Sequence, residues 1–288
     1  MADGILIIDK PEGWTSMDVC ARLRGIFHEK KVGHAGTLDP MATGVLPVFL
    51  GRATKAVSFA EHGEKTYEAV LQLGTVTDTQ DTTGTVLETH AVSVTKADVE
   101  AVLPRFRGEI MQLPPMYSAI KVNGQKLYDI ARRGGTAERK ERPVTIYELT
   151  LSEQLAADRF ALRVTCSKGT YIRTLCHDIG AALTCGGCMA ALRRTMAAGF
   201  SIDEAVTLEE VQEKKEALLL SLDSYFRSYP AFTLPDAETE RRVRCGNAVH
   251  IEGLRNGTYR VYGADGSFLC LSEMSDSTLR SIKNFFGE

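Results

Sequence analysis

No apolar run in this chain approaches the length of a membrane-crossing helix. The opening MADGILIIDKPEG also lacks the basic, apolar, small-residue order of an export signal. A cytoplasmic location, with no membrane partner, is the expectation. Nor is there an excess of basic charge: 34 Lys and Arg stand against 37 Asp and Glu, a formal net charge of −3. A uniformly basic coat is therefore excluded, and any polyanion would have to be met by local clusters. Internal repeats and low-complexity tracts are absent. With 44% apolar and 25% charged residues, the 288-residue chain has the composition of a globular protein with a real core.

Disulfides are also not expected, because seven cysteines are an odd number and suit reduced thiols. Cys185 and Cys188 form a C-x-x-C pair, but only Cys176 and His177 stand near as further ligands. No metal site is expected from so thin a set. A thioredoxin-like strand does not precede the pair, which argues against a redox role. Asp78 and Asp81 in GTVTDTQDTTG lack the ligand spacing of an EF-hand, and DTTG has neither a second copy nor the DTG core of aspartic proteases.

The most informative stretch is GHAGTLDPMATGVLPVFLGRATK, residues 33–55. Glycines at 33, 36 and 44 permit a tight loop, and Pro40 biases Asp39 toward an extended backbone that presents its carboxylate. Val45, Leu46, Val48, Phe49 and Leu50 then read as a buried strand. A loop anchored to a buried element is a good mount for a reactive group. An Asp-Pro flanked by glycines is equally ordinary turn chemistry.

Around this stretch, GILIID at 4–9 reads as a strand, and Ser16 as the cap of a helix running to about Glu29. TYEAVLQL alternates as a strand, and Thr95 with Asp98 opens a second helix. Asn123-Gly124 signals a turn, followed by the short basic helix QKLYDIARRG. Arg132, Arg133, Arg139, Lys140 and Arg142 fall within eleven residues, opposed by Glu138 and Glu141 alone. Residues 143–166 read as two strands, and SKGTYIRTL starts a helix with Ile172, Leu175 and Ile179 toward a core. From about residue 232 short strands dominate, with a hairpin turning at Asp265-Gly266. Seven basic and eight acidic residues in 232–288 give no electrostatic support for strong phosphate binding there.

The 33–55 stretch resembles the signature GHxGxLDPxATGxLPVxxGxATK of the bacterial tRNA pseudouridine-55 synthases, the TruB family. Further family strings are KPxGxTS at Lys10–Ser16, TDTxDxxG ending at Gly84, PPxYSAxKxxGxxxYxxAR from Pro114, SKGTYIRT and ALRRT. The resemblance implies an α+β fold: a catalytic domain over 1–228 around a mixed, mostly antiparallel sheet, and a small β-rich, PUA-like RNA-binding module at 232–288. It also implies an RNA-gripping arm at about 114–142. The implied activity is isomerisation of uridine to pseudouridine in the TΨC loop of tRNA, at position 55, by a monomer without cofactor or obligate protein partner.

The same resemblance assigns roles to residues. Asp39 stands at the nucleophile's position, Arg173 at that of the partner keeping it charged, and Tyr67, in KTYEA, at that of an aromatic that stacks on the uracil and is also a candidate to handle a proton. Tyr171 would stack on the uracil, His34 would pack where the base leaves its stack, and Leu192 would line the pocket. Asp81, Lys10, Arg132 and Arg133 complete the expected substrate-binding set. Attack on the ribose and attack on the base are both compatible with a carboxylate. An RNA-binding protein in which catalysis is secondary, or a synthase acting on another RNA, would share much of this pattern.

Overall fold

The computed structural model describes residues 2–122 and 124–287. Strand β1 (Gly4–Lys10) is buried along nearly its whole length, as its unbroken apolar run requires. It leads into helix α1 (Ser16–Phe27), which lays Val19, Cys20, Leu23, Ile26 and Phe27 against the core. The cap is Thr15, one residue before the one expected, in a reciprocal capping box with Asp18. Ser16 is thereby free to hold the backbone of a distant loop. Its Oγ accepts the Leu38 N–H at 2.9 Å and donates to the Leu38 carbonyl at 3.2 Å. The helix ends at Phe27, two residues earlier than expected, where His28 turns left-handed at φ 51°.

Next come β2 (Val32–His34), β3 (Thr43–Leu50), the short α2 (Val57–Ala60) and β4 (Lys65–Leu73). The small hairpin β5 (Thr75–Thr77) and β6 (Val86–Thr89) follows, then α3 (Lys96–Val102), capped by Thr95 and Asp98, and β7 (Gly108–Gln112). The arm contains β8 (Lys121–Val122), β9 (Gln125–Lys126) and α4 (Leu127–Arg132). Asn123 of the expected turn lies outside the described residues; Gly124 has φ +82°. The arm's base is closed by Arg139, which donates from Nη1 to the Pro114 carbonyl at 3.0 Å. Strands β10 (Arg142–Ala156) and β11 (Arg159–Cys166), helix α5 (Ile172–Ala182), β12 (Gly187–Ala197), β13 (Phe200–Ser201), α6 (Leu208–Lys214) and α7 (Leu222–Tyr225) complete this part.

These strands form one nine-stranded sheet in the order β1-β3-β12-β4-β11-β10-β7, with β2 on β3 and β13 on β12. Every pairing in it is antiparallel except β12 on β3. That parallel contact joins Arg193 and Arg194 to Thr43 and Gly44, so β12 runs directly beside the start of the Asp39 loop's outgoing limb. Helices α3 and α5 cover one apolar cluster of the sheet, and α1 and α6 cover another.

The C-terminal unit has β14 (Ala231–Thr233), α8 (Ala237–Arg244), β15 (Val249–His250), β16 (Gly257–Tyr262), β17 (Phe268–Ser275) and β18 (Thr278–Asn284). Its sheet runs β14-β16-β17-β18-β15, and the β16–β17 hairpin turns through Asp265 and Gly266. Leu271 and Phe285 from this unit share a cluster with Phe49, Phe200 and Phe226, which seats it on the larger sheet. The architecture is thus mixed α and β with a mostly antiparallel main sheet and a β-rich end. Among the described residues no helix is long and apolar enough to cross a membrane.

Candidate active site

The loop between β2 and β3 is tied down from below. Lys10, at the end of β1, has no exposed surface, and its Nζ donates to the carbonyls of Pro11 (2.9 Å), Trp14 (2.6 Å) and Pro40 (3.2 Å). The Gly13 N–H donates to the Pro40 carbonyl at 2.8 Å, and Ser16 holds both backbone groups of Leu38. Residues 38 and 40 are therefore clamped on either side of Asp39 by the turn that starts α1. This corrects the expectation that Lys10 meets RNA: its three donor hydrogens are spent on carbonyls inside the protein. Burial pulls its ammonium down to about 8, with the Asp39 charge the largest opposing influence.

Asp39 emerges from this clamp with its side chain 37% exposed. Arg173, in the first turn of α5 and 6% exposed, meets it with Nε 2.9 Å from Oδ2 and Nη2 3.4 Å from Oδ1. The same guanidinium donates to the Thr79 carbonyl (3.0 Å) and the Tyr117 carbonyl (2.9 Å). One planar group thus joins the Asp39 loop, the 77–85 turn and the root of the arm. A lysine could not span these partners, because its donors radiate from one atom.

Asp81 lies behind this contact. Its Oδ1 accepts from Thr79 Oγ1 (2.7 Å), Thr83 N–H (3.0 Å) and Thr83 Oγ1 (2.6 Å), while Oδ2 is 3.8 Å from Arg173 Nε. With its side chain 6% exposed, Asp81 orients Arg173 and folds its own turn, in place of the direct substrate contact expected. The position of Tyr171 is fixed through its backbone: its N–H donates to Gln112 Oε1 (2.8 Å), and Gln112 Nε2 returns a bond to its carbonyl (3.0 Å). Burial raises the pKa of its phenol, opposed by Ser118 and Arg173.

Tyr67 and Leu192 come from the adjacent strands β4 and β12 and pack with Leu38 and Ala42 in one apolar cluster. Burial raises the Tyr67 pKa, keeping a neutral phenol near neutrality, with Arg194 the main opposing influence. His34, at the end of β2, has a buried Nδ1 with no hydrogen-bond partner among the described residues. Burial and the nearby Arg194 both lower its pKa, so it is a neutral ring. Arg132 and Arg133 are at the end of α4, with the Arg132 guanidinium 5.4 Å from the centre of the Tyr128 ring. They are on the arm and do not join the cluster around Asp39.

The structure thus brings Asp39, Arg173, Asp81, Tyr67, Tyr171 and Leu192 to one end of the main sheet. Gln112 lies outside every family string and carried no signal in the chain; Thr79, Tyr117 and Arg194 lie within TDTxDxxG, PPxYSAxKxxGxxxYxxAR and ALRRT, but the chain did not show that the first two act through their carbonyls or that Arg194 is buried. Among the described residues no three His, Cys, Asp or Glu side chains gather as metal ligands; Cys176, Cys185 and Cys188 are all buried free thiols.

Residues 24–172 match the sequence model described as the TruB family pseudouridylate synthase N-terminal domain. Residues 173–227 match that of the tRNA pseudouridylate synthase B C-terminal domain. The chain belongs to the TruB family of pseudouridylate synthases. The tRNA pseudouridine synthase B of Azoarcus sp. (strain BH72) is 44% identical over 284 residues, covering 97% of this chain and 94% of that protein. Its counterpart from Clostridium kluyveri is 41% identical over 289 residues, covering 98% and 99%. A chain in the crystal structure of a Cbf5-Nop10-Gar1 complex superposes with a TM-score of 0.73 at 26% identity, over 99% of this chain and 85% of that one. In this TruB-family member the junction of the two matched segments falls within the first turn of α5, between Ile172 and Arg173. Both segments build the same nine-stranded sheet, so the second is no separate unit; the β14–β18 sheet lies beyond both.

Proposed function

We propose that this chain isomerises uridine to pseudouridine at position 55, in the TΨC loop of tRNA, with Asp39 as nucleophile and without a cofactor. Isomerisation breaks the C1′–N1 bond, turns the uracil over and rejoins it through C5; C5 gives up its proton and N1 takes one up, so the atoms balance. No electrons are gained or lost, so a nucleophile and a dry pocket are the chemical requirements. The observation that carries the reading is Asp39 at the mouth of a family-type loop, half open, with the Arg173 guanidinium 2.9 Å away.

The remaining roles follow from position. A uridine drawn out of its stack would meet Asp39 with Tyr67 and Leu192 beneath it and Tyr171 beside it. Tyr67, a neutral phenol, is suited to pass a proton, and Leu192 to exclude water. His34 is suited by shape to fill the gap the base leaves. Arg132 and Arg133 on the arm supply cations for the backbone of the T arm, while Lys10 and Asp81 position Asp39 and Arg173. Residues 1–228 are the catalytic domain, and 232–288 a PUA-like module for RNA. The chain acts in the cytoplasm as a monomer without an obligate protein partner.

The test is incubation of the purified chain with unmodified tRNA, reading pseudouridine by carbodiimide treatment and primer extension. A stop at position 55 is expected with the intact chain and none with Asp39→Ala. No product from the intact chain, or full product from Asp39→Ala, would defeat the proposal.

A further inference from the structure

Arg194 heads the fully buried side chains in size, yet among the described residues no carboxylate comes within ion-pairing distance of it. A buried guanidinium without a carboxylate is costly, and is kept only where its N–H groups are well used. Here two of them hold the Asp39 loop, and the group also faces the Tyr67 hydroxyl. Nε donates to the Val45 carbonyl at 2.8 Å and Nη2 to the Gly36 carbonyl at 3.0 Å, one acceptor on each limb. The backbone of the same residue presses on the loop as well. Arg194 pairs with Gly44, which has φ +99°, and a Cβ there would stand 2.2 Å from the Arg194 carbonyl oxygen. At Gly36 a Cβ would lie 3.3 Å from Nη1 and 3.2 Å from Lys65 Cε.

The loop is therefore moulded over this side chain, and the two glycines leave room for it. Its charge is felt by what surrounds the site: burial is the main cause of the lowered pKa values of His34, Lys65 and Lys10, Arg194 adds to each, and it opposes the burial-driven rise at Tyr67.

We propose that Arg194 is a positioning residue for the isomerisation: its guanidinium bridges the two limbs of the Asp39 loop and so fixes the carboxylate relative to the target uridine. This rests on Asp39 being the nucleophile. Lysine at 194 keeps the charge and reaches one carbonyl; methionine keeps the bulk and reaches neither.

The experiment compares Arg194→Lys and Arg194→Met with the unaltered chain for single-turnover pseudouridine formation, tRNA dissociation constant, thermal midpoint and amide hydrogen exchange. The expected result is a rate loss of about 10-fold for lysine and about 100-fold for methionine, because a misplaced reactive group costs that order. The tRNA dissociation constant stays within about threefold, since no RNA contact is removed. Exchange at residues 37–42 rises while that of the β4 and β11 amides is unchanged. A folded Arg194→Lys or Arg194→Met chain whose rate stays within about threefold overturns the inference, as does a lowered midpoint with no change in the rate of the folded fraction. If Arg194→Met does not fold, Arg194→Lys alone decides. Asp39→Ala run alongside separates the two ideas: an inert Asp39→Ala with an unimpaired Arg194→Lys defeats the inference alone, and an active Asp39→Ala defeats both.

Discussion

Replacing Arg173 with methionine removes two things that can be measured apart. The first is the ion pair to Asp39, a charge-assisted contact on a carboxylate that water still reaches. Such a contact is worth about 1.5–3 kcal/mol. If that contact acts in the transition state, its loss slows the reaction roughly 10- to 150-fold. The second is structural: Asp81, nearly buried and 3.8 Å from Arg173 Nε, loses the cation beside it, and the Thr79 and Tyr117 carbonyls lose a donor. Leaving a buried carboxylate without its partner costs about 3–5 kcal/mol of stability.

The double variant Arg173→Met/Asp81→Asn separates these effects. Asparagine keeps an oxygen for the Thr79 and Thr83 donors but carries no charge, so stability should recover by about half while the rate does not. Urea unfolding reads the first quantity. Release of tritium from C5-labelled uridine in tRNA, under single-turnover conditions, reads the second. Recovery of the rate together with stability in the double variant would show that Arg173 is scaffold alone, and its link to the chemistry of Asp39 would fall.

Lys10 gives a pH signature. Its folded pKa of about 8 lies below the ordinary lysine value of 10.5, so between these values the unfolded chain binds more protons. Burial's penalty on its ammonium is therefore present in full below about pH 8 and is relieved as pH rises toward 10.5. Stability measured against Lys10→Met should rise across that window, and a flat difference would refute it. Gly44→Ala should destabilise by at least about 1–3 kcal/mol from its φ of +99° alone, with the contact on Arg194 adding to this, seen as a lowered thermal midpoint. Arg132→Ala/Arg133→Ala should weaken tRNA binding and reduce the slope of log affinity against log salt by about one to two; an unchanged slope would remove the arm from the contact set.

The chain by itself determined the local pieces. A run such as GILIID has no polar face and must be buried, Asp-Pro between glycines favours a turn, and Thr95 with Asp98 caps a helix wherever that helix packs. Family strings extended this to Asp39, Tyr67, Arg173 and their neighbours, because those residues sit in short segments dense with constraint. The fold class followed from the same family resemblance, with support from alternation, which marks strands, and from short hairpin turns, which make neighbours antiparallel.

Tertiary structure alone decided what each buried polar group would hold. Lys10 reads as an available cation until Pro40, thirty residues on, takes one of its hydrogens. Ser16 reads as a helix cap until Leu38 claims it, and the capping passes to Thr15, whose hydroxyl suits it equally well. Asp81 reads as a ligand for substrate until three donors of its own turn and Arg173 surround it. Arg194 is the extreme case: its acceptors lie 149 and 158 residues away, reached only because β12 runs parallel to β3. Spacing along a chain records which side chains share a face. Which carbonyls that face meets depends on strand order, and strand order follows from burying all the faces at once.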